Sequence, residues 1–197
     1  MFKQGEIRQN LLGCLETALF MPAGVTRFCP SRKSMMKSFL IPLILLPLTL
    51  ITMLSAHPSG PLSTSSMQIL AIIYSLRLFV YLGAFLAFVY TMARTMDRLD
   101  DFYRFANANN WLAIPAALLM TPLVILFLSG HYEWAEIYPM MVFITLYSYA
   151  YTAFMATHVM RIPMELACFI AIAGMAIHQM SLDVLKWATL SFIQLIT

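Results

Sequence analysis

Four side chains able to carry charge or exchange protons stand within or against long apolar runs: Arg77, His158, His178 and Asp183. An arginine near the centre of a bilayer costs about 2.5–3.5 kcal/mol on insertion scales, so Arg77 requires a partner or water. Arg77 is expected to lie buried in the bundle, satisfied by Asp183, tyrosine hydroxyls or backbone carbonyls; Asp183 is the favoured counter-ion, and Glu133 and Glu136 are alternatives within reach of a snorkelling side chain. The pattern reads first as a structural ion pair and second as the polar lining of a transport path. His178, beside Gln179, reads as a hydrogen-bonded core histidine before a proton relay. His158 shares one face of a helix with Tyr147, Tyr151 and Phe154, a spacing that serves helix packing.

A second constellation is "ANANNW", in which Asn107, Asn109 and Asn110 abut Trp111 and an uncharged run. Asparagine amides there can cap the orphan N–H groups of a helix entering lipid, with the tryptophan as interfacial anchor; a ligand site is the weaker reading. The alternating charges of "RTMDRLDDFYRF" just before it read as the solvated face of a loop helix. Glu165 follows Pro163 at a helix start, where a carboxylate complements the helix dipole. Neither the 4 histidines nor the 9 acids gather at metal-ligand spacing, and no phosphate loop or nucleophile motif occurs. The 16 methionines form no compact repeat and read as packing. The expectation is therefore a protein that is not an enzyme, with no cofactor and no metal.

The elements that must position these residues follow from composition. With 61% hydrophobic and 11% charged residues and a mean hydropathy of +0.79, the chain has too little polar surface to cover itself in water. Five apolar runs, about 39–56, 68–93, 111–129, 138–160 and 164–182, are each long enough to cross about 30 Å of hydrocarbon, and each must be helical to satisfy its backbone. The fold class is all-α, a polytopic membrane protein with five transmembrane helices. Pro139 and Pro163 read as helix-start residues, whereas Pro42, Pro47, Pro115 and Pro122 should kink spans one and three.

Lys3, Arg8, Arg27, Arg32, Lys33, Lys37, Arg94, Arg98, Arg104 and Arg161 fall on one side of this threading, and Lys186 alone falls on the other. The positive-inside rule then predicts a cytoplasmic N-terminus and an outer C-terminus. Basic residues that flank spans suit lipid better than nucleic acid, which is not an expected partner. Expected partners are membrane lipids, and other membrane proteins or further copies of the chain. The three cysteines make no CxxC pair, and the first 38 residues lack the pattern of a signal peptide.

Residues 1–38 form a basic N-terminal segment, 39–182 the span domain and 183–197 a C-terminal segment. In the first, Ile7, Leu11, Leu15 and Leu19 recur every four residues opposite Arg8, Gln9 and Glu16. That recurrence predicts an amphipathic helix over 4–20 on the inner leaflet. In the last, Asp183 and Lys186 favour a helix lying along the outer surface over a prolonged fifth span.

This order, with "ETALFMPAGVTRF" before span one and "FYRFANANNWLAIP" entering span three, resembles the Yip1 family, and more specifically its bacterial members, from about Glu16 to Met180. The resemblance implies a bacterial inner-membrane protein and carries over no catalytic residue. Eukaryotic members of similar topology are linked to small Rab-type GTPases, but the short N-terminal region here leaves little room for a GTPase-binding tail. The function expected is a non-enzymatic scaffold that organises partners or lipids. The alternative is a small transporter or channel component with Arg77 lining an internal polar site; an enzyme acting on lipid ranks third.

Overall fold

A computed structural model describes residues 4–55 and 64–196, with side chains placed except at 4, 53, 55, 64–67 and 189–196. Most of the turn-forming connection "HPSGPLSTSS" lies outside the described residues. Nine helices make up the described chain: α1 (Gln4–Ala18), α2 (Pro22–Thr26), α3 (Arg32–Ser38), α4 (Leu40–Ser55), α5 (Thr64–Thr95), α6 (Leu99–Trp111), α7 (Ala113–Leu128), α8 (Trp134–Met160) and α9 (Met164–Ile196).

Five stretches are long and apolar enough to cross a membrane: Arg32–Thr52, Gln68–Thr95, Leu99–Leu128, Trp134–Met160 and Met164–Ala188. The chain is an integral, multi-pass helical membrane protein. The spans pack in a closed cycle, α4 on α5, α5 on α9, α9 on α8, α8 on α7 and α7 back on α4. With an odd number of spans running alternately up and down, one neighbouring pair must be parallel, and that pair is α4 and α7. α6 fills the end of the bundle where α5 and α8 finish, and α1 and α3 pack on it from outside. We call this the basic end, because Arg94, Arg98, Arg104 and Arg161 lie there.

The buried core is concentrated at that end. Phe28, Phe105, Met155, Met160 and Val89 are fully enclosed, joined by Phe85, Trp111 and Leu112. Elsewhere the spans turn large apolar side chains outward, with Ile44 69% and Leu118 65% exposed, as helices solvated by lipid do. α5 and α9 approach closely at Gly174, where a Cβ would stand 2.9 Å from the Phe85 ring.

Helix ends show how sharp turns are made without glycine. Phe20 and Asp97 both take φ +56°. Around each, one N–H reaches back five residues, Met21 to Glu16 (2.8 Å) and Arg98 to Ala93 (2.8 Å). The neighbouring N–H reaches back three, the Schellman arrangement that satisfies the last carbonyls of a helix. Gly130, at φ +73°, ends α7 in the same way. Glu133 and Glu136 form a reciprocal capping box at the start of α8, so these carboxylates serve a helix end rather than Arg77.

Several expectations change. Pro139 lies inside α8 rather than at its first position. Pro42 and Pro115 occupy the third positions of α4 and α7, where an N–H would have no intrahelical partner. Of the four prolines expected to kink spans one and three, Pro47 and Pro122 interrupt helix interiors, as Pro139 does in α8. α9 continues through Asp183 and Lys186 to Ile196 without a break, so the segment from residue 183 is not a separate surface helix. Its exposed Asp183, Lys186 and Trp187 extend α9 beyond the closely packed region.

α1 is a helix, but its faces differ from the expectation. At 100° per residue, Arg8 falls within about 20° of Leu15, on the leucine side and not opposite it. The side turned to the protein is polar or small: Asn10, Gly13, Cys14 and Thr17 are buried. Leu15 at 58% and Leu19 at 70% exposed point away from the bundle.

Candidate functional site

The Asn junction does not cap span three. The N-cap of α7 is Leu112, which supplies no side-chain cap, and Asn107 and Asn110 sit in the body of α6, 0% and 2% exposed, with side-chain oxygens that accept no hydrogen bond from the described residues. Asn107 Nδ2 donates to Ser34 Oγ (3.2 Å) and to the Cys29 carbonyl (3.3 Å), and Asn110 Nδ2 donates to Ser38 Oγ (2.9 Å). Ser31 caps α3 by accepting from the Ser34 N–H (3.1 Å), which sets the register of the two serines on α3. Trp111 is buried at 2% exposure and is a core residue rather than an interfacial anchor. Asn109 is half-buried. A buried amide donating to a specific hydroxyl fixes how two helices meet, because breaking it strands a polar group in a medium of low dielectric.

The rest of the joint comes from α1 and α2. Phe28 packs in the same buried cluster as Phe105 and Trp111. Gly24 lets α2 approach α1 so closely that a Cβ there would lie 2.6 Å from the Thr17 nitrogen. Tyr147 on α8 donates its hydroxyl to the Ala18 carbonyl, and Tyr151 donates to the Leu112 carbonyl at 2.9 Å. Arg27 pairs with Glu16 through two bonds of 2.6 and 2.5 Å, which hold the Glu16 carboxyl below the usual carboxylate range. Lys37 pairs with Glu6 at 2.8 Å. Burial pushes the Cys14 thiol up to about 12.

Arg77 is buried at 8% exposure. Its Nη2 donates to the His178 carbonyl at 3.1 Å, an oxygen that also accepts from Ser181 Oγ at 2.7 Å, and its Nε has no partner. Tyr74, Tyr149 and Asp183 lie within electrostatic range. Among the described residues, however, the ion pairs are Arg27–Glu16, Lys37–Glu6 and Arg98–Asp101. Of the expected partners it is a backbone carbonyl, and not the favoured Asp183, that meets the guanidinium; Asp183 is left exposed. The His178 ring packs edge-on against Tyr81, centroids 4.9 Å apart.

His158 belongs elsewhere. It is exposed two residues from the end of α8, with Nδ1 2.8 Å from the Phe154 carbonyl, whereas Arg77 lies 18 residues, about 27 Å, from the basic end of α5. The four residues singled out for proton or ion chemistry thus divide into an Arg77–His178 contact, an exposed Asp183 and a separate His158. Without a direct pair, the stability effects of Arg77→Leu and Asp183→Leu should add to within about 0.5 kcal/mol in a double-mutant cycle read by thermal unfolding in detergent. Coupling of 1 kcal/mol or more would restore the ion pair.

A cleft of about 600 Å³ opens at the basic end, lined by Arg94, Asp97, Arg98, Asp100, Asp101 and Arg161. Arg98 Nη1 donates to the Met160 carbonyl at 2.9 Å, closing the end of α8, and stands 3.9 Å from Asp101. Five of these residues read, along the sequence, as the solvated face of a loop helix. Arg161, 60 or more positions further along, joins them only once α5, α6 and α8 end together, and no local pattern reveals that. No family model, curated protein or solved structure matches the chain.

Proposed function

We propose that this protein is a non-enzymatic scaffold of the bacterial inner membrane, with a cytoplasmic N-terminus and an outer C-terminus, that organises lipids around its basic end. One observation carries the reading: the protein-facing side of α1 holds Asn10 and Thr17, while Leu15 is 58% exposed and Ile7 and Leu11, at 38%, border the exposed side. Such a helix is inside-out for water and right-way-out for an interface between headgroups and acyl chains. Arg8, Arg32 and Lys33 are exposed alongside it and outside every ion pair within 4.0 Å among the described residues. Each adds about 1 kcal/mol of attraction to an anionic surface.

The Yip1-like resemblance draws on two segments that meet in this joint, since Asn107 of the second bonds the Cys29 carbonyl directly after the first. Extraction of the full chain in native nanodiscs should recover anionic lipid about threefold or more enriched over bulk membrane. The variant Arg8→Gln/Arg32→Gln/Lys33→Gln should return it to bulk composition; bulk composition around the natural chain would defeat the proposal. The transporter reading retains one observation, the unpartnered Arg77 Nε. Loss of solute flux in proteoliposomes on Arg77→Leu, at unchanged stability, would favour it.

A further inference from the structure

The cleft at the basic end lies where four candidate span ends meet, Thr95, Leu99, Met160 and Met164. The apolar runs 68–93, 138–160 and 164–182 end or begin beside it, and the ends of such runs are where lipid headgroups meet a span. Arg98 is engaged by the Met160 carbonyl and Asp101. Arg94, Arg161, Asp97 and Asp100 are exposed and line the same cleft. Yet none of these four makes an ion pair within 4.0 Å among the described residues. Two guanidinium groups and two carboxylates therefore face one space without neutralising each other. Asp97 and Arg161 are carried on left-handed turns, φ +56° and +52°, which end α5 and α8 and bring the two rims together. Three arginines and three aspartates give the six charged lining residues no net charge, so the cleft matches a group bearing both signs better than a simple anion. Guanidinium is the side chain best shaped for a phosphate, and a carboxylate accepts hydrogen bonds from a primary ammonium. A volume of about 600 Å³ falls within the roughly 300–1,000 Å³ of small-molecule sites.

We propose that this cleft holds the phosphoethanolamine headgroup of a membrane lipid, with its phosphate on Arg94 and Arg161 and its ammonium on Asp97 and Asp100. The inference deepens the lipid-organising reading and uses residues separate from those of α1. The test is native mass spectrometry of the full chain in detergent with equimolar phosphatidylethanolamine, phosphatidylcholine and phosphatidylglycerol. After collisional activation has stripped the looser anionic lipid drawn by α1, the natural chain should retain phosphatidylethanolamine above the other two. Phosphatidylcholine has no ammonium hydrogen to donate, and phosphatidylglycerol has no cation. Arg94→Gln/Arg161→Gln should lower that retention about tenfold or more, and Asp97→Asn/Asp100→Asn should shift the preference to phosphatidylglycerol. Equal retention of the three lipids by the natural chain, or an unchanged preference in both double variants, overturns the proposal. If the arginine variant loses helicity, the aspartate variant decides alone. Displacement of the lipid by millimolar inorganic phosphate or free phosphoethanolamine would assign the cleft to a soluble phosphate and overturn the lipid source. The Arg8→Gln/Arg32→Gln/Lys33→Gln variant should keep its phosphatidylethanolamine preference, so failure at the cleft and failure of the α1 reading are separable.

Discussion

Replacing Phe28 with alanine should detach the N-terminal helices from the bundle at a cost of about 3–5 kcal/mol, the range for truncating an enclosed aromatic. The Phe28 ring is 0% exposed and lies against Gly13 of α1, where a Cβ would come within 3.1 Å of it. It belongs to the same buried cluster as Phe105 and Trp111 of α6. Its loss opens a void in the seam that the Asn107 and Asn110 bonds also span. Cys14 supplies an internal reporter. Its thiol is 2% exposed and held up to about 12 by burial, so it should resist maleimide at neutral pH in a chain carrying Cys29→Ser and Cys168→Ser. Phe28→Ala should speed its labelling about tenfold or more. Because the folded pKa stands above the ordinary thiol value of 9.0, the contribution of this burial is complete below about pH 9. It is lost as the pH rises toward about 12. A variant that melts as the natural chain does, with Cys14 still protected, would show that Phe28 does not hold the joint.

Gly24→Ala is the second large effect, and it works by excess volume rather than by a void. An added Cβ would stand 2.6 Å from the Thr17 nitrogen and 2.7 Å from Thr17 Oγ1. The first of these is backbone and cannot rotate aside. Separation of α1 from α2 should cost about 1–3 kcal/mol, in the range for overpacking, and should expose Cys14 in the same labelling assay. Gly83→Ala on α5 is the internal control. Nothing lies within 4 Å of its Cβ position, so the change should be neutral or stabilise the helix by up to about 1 kcal/mol. Equal melting temperatures for Gly24→Ala and Gly83→Ala would contradict the close approach.

The contrast between these glycines cannot be read from the sequence, and the reason extends to the rest of the site. The five spans are legible because a run of apolar residues leaves few alternatives to crossing lipid. α6 is not, because Asp100, Asp101 and Arg104 give it the look of a solvated helix. From Phe105 onward it is nevertheless buried on almost every side. The asparagines stand beside an apolar run, which is where caps also stand; only the arrival of Ser34 and Ser38 from α3 makes them donors in a joint. Arg77 was expected to be buried, and it is. Its partner is 101 positions away, and both the rotation and the axial position of α9 decide whether Asp183 or a carbonyl meets it. The four-residue recurrence in α1 shows that a stripe exists, but not which side of the helix the protein takes.

Which side of α1 faces the membrane is tested most directly by site-directed spin labelling of the full chain in bilayers. Labels at Ile7, Leu11 and Leu15 should be accessible to oxygen and shielded from a water-soluble nickel chelate. A label at Gln9 should meet the chelate, and labels at Asn10 and Cys14 should be shielded from both. Equal chelate access at Leu11, Leu15 and Gln9 would contradict an α1 that carries its apolar face into the membrane.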